Sequence, residues 1–438
     1  MKKDLLVKIA ALSLLLVVPQ AQAVKPAPPP VTAPVTDTTL ALASASASGQ
    51  AANASSSNCG VSADGSKVLF TSSASNLAGG TNFMQHLYLK DFNGNGITRV
   101  VTATSNTFAC LALTPDANTV VFVANAPNGV VTTLGFEGTE PAIMVKNLST
   151  GQQTRVTPMR SALQNVDSFQ FAGVSDDGLR VAFIAQPTFT CSGYNCIANG
   201  PARMFLRDVY SGALVNLENQ VRFTTTRAAD GEAWLSPNGQ TLAFSSRAAY
   251  PEAGDTTAGS DVYVLNIASS TVRLVNTDAA GRQITIVGTV SPTYGVQSFL
   301  ANSGKLAFFI DYDTSAGPAG VYVKDLNSGA LDQLLPRNLT HMTGFHAALS
   351  FSDDGRKVAY LGSSGGGLTA TSVPLVLDIA TGARVNAATL SNGTVGNGLT
   401  TTNVLLSRDG KAAAFGNNST NLLAGLSTVQ QVYRKRLP

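Results

Sequence analysis

Beyond about residue 38, apolar residues do not recur at helical spacing. They come in short runs rich in Val, Leu, Phe and Tyr, separated by Gly, Asn, Asp and Ser. That pattern predicts β-strands joined by tight turns, with almost no helix. One stretch then repeats along the chain. "SADGSKVLF" (Ser62 to Phe70) is followed by "TPDANTVVF" (Thr114 to Phe122), "SDDGLRVAF" (Ser175 to Phe183) and "SPNGQTLAF" (Ser236 to Phe244). "NSGKLAF" (Asn302 to Phe308), "SDDGRKVAY" (Ser352 to Tyr360) and "SRDGKAAAF" (Ser407 to Phe415) complete seven copies. The turn residues Asp64, Asp116, Asp177, Asn238, Ser303, Asp354 and Asp409 recur every 51 to 65 residues.

Each copy reads as a hairpin. Asp-Gly or Asn-Gly is expected to supply the positive φ angles of a tight turn, and β-branched and aromatic residues follow. A second β-rich run trails each copy: "HLYLKD", "AIMVKN", "RMFLRD", "DVYVLN", "GVYVKD", "PLVLDI" and "QVYRKR". Most of these lead through a Gly turn into a polar fourth strand. Four antiparallel strands at a period of 50 to 65 residues describe a β-propeller blade, and seven copies predict seven blades. The last copy stops after its third strand. "TTLALAS" (Thr38 to Ser44), ahead of the first copy, is free to supply the missing fourth strand and lock the ring. The repeated aromatics are expected to fill the core between blades.

Composition refines this picture. Of 438 residues, 44% are hydrophobic and only 13% charged, which fits a folded core under a Ser/Thr/Asn/Gly-rich surface. The net charge of +3 falls to about +1 without the first 23 residues, so no footprint for nucleic acid is present. Those 23 residues read as a signal peptide: "MKKDLLVK", an apolar "IAALSLLLVV", then Ala21-Gln22-Ala23. The apolar run is short of the roughly 20 residues that cross a bilayer. Residues 24–37, "VKPAPPPVTAPVTD", form a Pro-rich linker, and 38–438 the propeller. The expected location is periplasmic or secreted, without a membrane span.

Four cysteines suit that compartment. Cys191 and Cys196 frame the short loop "CSGYNC", where a bridge contributes roughly 2 kcal/mol. Metal binding by this pair is the rival reading. Cys59 and Cys110 either pair across neighbouring repeats or stay as small buried groups.

The blade signature, with "SSASNLAGGTN" (Ser72 to Asn82), "SRAAYPEAGDTTAGSDVYVLN" (Ser246 to Asn266) and "NNSTNLLAG" (Asn417 to Gly425), resembles the TolB-like, WD-repeat-like bacterial propellers. The resemblance implies a propeller that serves as a binding scaffold, an enzyme support or an enzyme. Some members are pectin-fragment lyases that hold a metal through several His. This chain has three His: His86, His341 and His346. His341 and His346, ahead of the sixth innermost strand, are weak metal candidates.

Other candidate motifs have ordinary structural readings. Gly362 to Gly366 fits G-x-S-x-G around Ser364, but the residues that follow are β-rich where a nucleophile elbow needs a helix. "DFNGNGIT" offers Asp91, Asn93 and Asn95 as oxygen ligands for calcium, yet it lacks the closing Glu and reads better as a hairpin turn. Six residues before each turn residue stand Asn58, Cys110, Phe171, Glu232, Gln297, Ala348 and Asn403, near the central channel entrance. Asn58, Glu232, Gln297 and Asn403 are candidate ligand or partner contacts there. Trp234 is either a partner anchor or inter-blade packing. No acid and base pair for general catalysis emerges. The resulting expectation is a monomeric, exported, non-catalytic scaffold without a cofactor, binding a cell-envelope protein or glycan. The alternative is a carbohydrate-active enzyme of lyase or lactonase type with its site at the channel mouth.

Overall fold

The computed structural model describes residues 40–79, 84–94, 96–103, 108–127, 131–132, 135–136, 139–192, 195–223, 232–257, 259–284, 298–300, 304–310, 320–336, 349–363, 372–423 and 426–438. Seven four-stranded antiparallel sheets follow one another along the chain; among the described residues two small hairpins and two single-turn 3-10 helices accompany them. The first blade is Ser56–Val61, Lys67–Ser72, His86–Asp91 and Ile97–Val101. The third is Val166–Val174, Arg180–Pro187, Arg203–Asp208 and Leu214–Asn216, and the fourth Ala233–Leu235, Thr241–Ser246, Asp261–Asn266 and Thr271–Leu274. In the seventh, Leu405–Leu406, Ala412–Asn417 and Gln431–Arg436 are joined by Leu40–Leu42. Leu40 pairs with Lys435 and Leu42 with Tyr433, so the first strand of the chain closes the last blade as expected.

The core explains why the second strands read as they do. A strand buried on both faces sends alternate side chains to opposite neighbours. In the fourth blade Leu242 and Phe244 pack on the third blade, while Ala243 packs toward the fifth. Phe308 faces back and Ala307 forward in the fifth blade; Tyr360 faces back and Ala359 forward in the sixth. In the seventh, Phe415 faces back and Ala414 forward onto Val68 and Phe70. A large residue thus fills the space left by the alanine of the preceding blade. Seven apolar clusters result, one at each junction, including that between the last blade and the first. The repeated aromatics are essentially fully buried. Most stack on the aromatic directly opposite in the third strand, as in Phe70–Tyr88, Phe183–Phe205, Phe244–Tyr263 and Phe415–Tyr433.

The turns differ in detail from expectation. Only the glycine takes positive φ, as at Gly65 (67°) and Gly178 (71°). The preceding Asp instead accepts hydrogen bonds: Asp64 Oδ1 receives the Ser62 hydroxyl at 2.7 Å and the Ser66 amide at 2.9 Å. Ser62 Oγ in turn receives the Lys67 amide at 2.9 Å. In the first, third, sixth and seventh copies the Ser and Asp therefore hold a four-residue turn, and the Gly relieves its one left-handed position. The second copy has Ala117 there, at φ 56°.

Cys59 and Cys110 form a disulfide between the innermost strands of the first and second blades, with their Cα atoms 6.0 Å apart. Cys191 is also disulfide-bonded, and it lies directly opposite Cys196 in a hairpin, Phe189–Ser192 with Asn195–Ala198. Among the described residues no helix is long and apolar enough to cross a membrane.

Candidate functional site

The innermost strands line the channel, and the second residue of each S-x-D-G turn stands at one end of it. Backbone bonds run around this end from blade to blade. Ala63 donates to Pro115, Asp176 to Pro237 and Asp353 to Arg408, at 2.7 to 2.8 Å, and Asp409 donates to Ala63 at 3.0 Å. Pro115 and Pro237 have no N–H to pass on, and no such bond leaves them. Arg408 adds a side-chain strap. Its guanidinium bonds Asp353 of the neighbouring blade at 2.8 Å and Asp176 of the third blade. The third and seventh blades are not neighbours in the ring, so this ion pair spans the channel. Nothing in the repeat announces it, because the turn motif leaves that position variable.

At the candidate contacts, Asn58 turns inward to the seam. It is 8% exposed; its Nδ2 donates to the carbonyls of Asn403 (2.9 Å) and Ala414 (3.3 Å), and its Oδ1 accepts the Thr402 hydroxyl at 2.5 Å. Asn403 is exposed. Glu232 is half-buried, and its carbonyl accepts the Ser245 amide at 2.9 Å. Trp234 is half-buried in its strand, opposite Ala243. Asp91 Oδ1 accepts the amides of Asn93 and Gly94 at 2.8 and 3.1 Å, a turn closed by its own side chain, and Asn93 is exposed. His86 is 1% exposed, and its Nδ1 accepts the Ala103 amide at 3.1 Å. Burial, then the charge of Arg99, holds its pKa below the usual histidine value. Gln297, His341, His346, Asn95 and Ser364 lie outside the described residues. Among the described residues, no three His, Cys, Asp or Glu gather as a metal would require.

The third blade stands apart. Its hairpin leaves Phe189 and Ile197 exposed, Ile197 by 72%. Leu179, Tyr210 and Val215 are exposed on the same blade, Tyr210 by 91%. These are five of the seven large apolar side chains exposed among the described residues, the other two being Val395 and Leu399. The hairpin is fixed at its base. Asn199 Nδ2 donates to Thr188 Oγ1 at 3.0 Å, Thr190 Oγ1 to Asn199 Oδ1 at 2.8 Å, and Asn165 Nδ2 to the Asn199 carbonyl at 3.0 Å. Asn165 adopts φ 57°, a conformation that Asn tolerates better than most residues. A cleft of about 410 Å³ opens beside this base, lined by Gln164, Asn165, Asn199, Arg203, Glu218 and Arg222. Arg203 donates to the Gln164 carbonyl at 2.6 Å, and Arg222 pairs with Glu252 while its guanidinium lies 4.1 Å from the centre of the Tyr250 ring. Amides and guanidiniums at a cleft edge bind hydroxyl, amide or carboxylate groups. The sequence signal was the interruption of the repeat by "TFTCSGYNCIANG".

No known family profile matches this chain, and no curated protein does. Solved structures do resemble it. An oligogalacturonate lyase in complex with manganese is 16% identical, with a TM-score of 0.53 over 88% of this chain and 91% of that one. The oligogalacturonate lyase of Vibrio parahaemolyticus is 12% identical, with a TM-score of 0.52 over 92% of this chain and 93% of its own. The β-propeller domain of the trilobed protease from Pyrococcus furiosus is 8% identical, with a TM-score of 0.50 over 87% of this chain and 95% of its own. At such identities the likeness is one of fold, and the chain has the seven-bladed propeller fold that its blade signature resembles.

Proposed function

We propose that this protein is a binding scaffold of the cell envelope whose third blade is its recognition wall. The concentration of exposed apolar side chains on that one blade carries the reading. Elsewhere the repeat buries its large apolar residues between blades, so the apolar side chains this blade leaves in water, Phe189 and Ile197 at its hairpin end and Leu179 and Tyr210 at the other, mark surface kept for a partner. The hairpin offers Phe189 and Ile197 on a frame held by hydrogen bonds and a disulfide at Cys191, which lowers the ordering cost of binding. The two disulfide-bonded sites suit an oxidising compartment, and export through the N-terminal signal belongs to the same proposal. The partner is an envelope protein with a complementary apolar patch.

A glycan-directed enzyme of lyase type is the second reading, favoured by the amide- and arginine-lined cleft. The test is capture from envelope extract with residues 24–438, the double variant Phe189→Ser/Ile197→Ser and the control variant Val395→Ser. A protein captured by the parent and the control, but not by the double variant, supports the scaffold. Equal capture by all three contradicts it. Binding or cleavage of an oligosaccharide, lost with Arg203→Ala, moves the assignment to the enzyme.

A further inference from the structure

Two positions of the repeat lie at the turn end of each blade. One follows the turn's left-handed residue; the other lies two residues past the third strand. In six blades the first position is Ser66, Asn118, Gln240, Lys305, Arg356 or Lys411. The second is Asn93, Ser149, Ala268, Asn327, Ala380 or Pro438. All of these are polar or small. The third blade alone places Leu179 and Tyr210 there, and both stand in water, 45% and 91% exposed. The Val209 amide, next to Tyr210, donates to the Leu179 carbonyl at 2.7 Å and holds the two segments side by side. The second blade makes the same backbone bond, from Leu148 to Asn118 at 2.7 Å, but its pair closes on itself. Asn118 Oδ1 accepts both the amide (3.1 Å) and the hydroxyl of Ser149.

A cleft of about 290 Å³ lies between the second and third blades at this end, close to the lower limit of small-ligand sites, roughly 300–1,000 Å³. Leu179, Tyr210 and Asp177 line it from the third blade, and Asn118, Asn147 and Gln152 from the second. The polar groups are only partly spent. Asn147 Oδ1 accepts the Thr150 amide (2.9 Å) and hydroxyl (3.2 Å), and Asp177 Oδ1 accepts the Ser175 hydroxyl (2.5 Å) and the Leu179 amide (2.9 Å). Among the described residues no hydrogen bond engages the Nδ2 of Asn118 or Asn147, the side-chain amide of Gln152, or Oδ2 of Asp177.

This inventory selects a ligand chemistry. Side-chain amides donate and accept, a carboxylate accepts, and a hydroxyl can satisfy each of them. A tyrosine ring in water adds a flat apolar face at low ordering cost. A sugar ring answers both, with hydroxyls around its edge and C–H groups on its faces. The cleft is lined by one acid and by no Lys, Arg or His, which disfavours an anionic ligand.

We propose that this cleft binds a neutral saccharide, with a sugar face against Tyr210 and the ring hydroxyls shared among Asn118, Gln152 and Asp177. The inference rests on the third blade as a recognition wall, and it gives the end away from the hairpin a ligand of its own.

The test is an array of neutral and acidic glycans probed with the full chain, followed by calorimetry on the neutral glycan bound best. Tyr210→Ala is expected to weaken binding at least about tenfold, Gln152→Ala about fivefold, and Tyr210→Phe by less than about threefold. Both side chains are exposed, so Tm should stay at the parent value. Phe189→Ser/Ile197→Ser should bind the glycan as the parent does, which separates a failure of the hairpin reading from a failure of this one. Absence of any bound neutral glycan overturns the proposal, as does a preference for acidic glycans. Equal affinity in Tyr210→Ala and the parent overturns the site, and binding lost as fully in Tyr210→Phe as in Tyr210→Ala overturns the stacking.

Discussion

The seam between the seventh and first blades and the outer wall of the third blade use the same kinds of residue to opposite ends. At the seam side-chain amides tie the two blades together. Asn58 ties the first blade to Asn403 and Ala414, Gln430 Nε2 reaches the Ser56 carbonyl at 2.9 Å, and Gln431 bridges Ser44 and Ala52. Val68 and Phe70 pack against Ala414 and Val432. On the third blade Phe189, Ile197 and Tyr210 face water instead. The contrast shows where the chain spends its groups on closing the ring and where it holds them back for something outside it.

Four substitutions break or sharpen that contrast. Phe415→Ala, which empties the space over the preceding blade, is expected to cost about 3–5 kcal/mol in urea unfolding. A cost below about 1 kcal/mol would mean that the junction is not packed as described. Cys59→Ser/Cys110→Ser is expected to cost about 2–4 kcal/mol, read against the parent with and without reductant. Asn58→Ala removes the acceptor of the Thr402 hydroxyl and the side-chain donor to two carbonyls, and about 1–3 kcal/mol should be lost. If Asn58 serves a ligand rather than the seam, stability will hardly change while binding falls. Ile197→Ser should move stability by less than about 0.5 kcal/mol and still abolish capture of the partner.

The seam also carries a pH signature. His86 is neutral in the fold because burial lowers its pKa below that of the unfolded chain. Above the unfolded value the two states bind protons alike. As pH falls through about 6.5, the unfolded state takes up the proton first and stability declines. His86→Gln should flatten the fall of Tm between pH 7 and 5. An unchanged slope would place the acid sensitivity elsewhere.

The fold was legible because the same short pattern recurs, and each part of it has one physical meaning. The Ala-Phe pair in "VAF" and "LAF" encodes small-forward, large-back packing, and Asp-Gly encodes the turn. The closing strand was legible as a strand without a blade. Asn58 was located near the channel, but its role depends on Thr402 and Asn403, 344 and 345 residues away, and no periodicity reports such a contact. Arg408 and Asp176 meet across the ring from a position that the motif leaves free. The exposed hairpin appeared in the sequence as a cysteine-framed interruption of the repeat.

The most direct measurement is hydrogen–deuterium exchange of residues 24–438, alone and bound to the captured partner. The account predicts new protection concentrated in residues 189–198 and 209–215, with the strand at 431–436 already slow in the free protein and unchanged. Protection at the channel-facing innermost strands, with the 189–198 hairpin still exchanging freely, would contradict the third blade as the recognition wall.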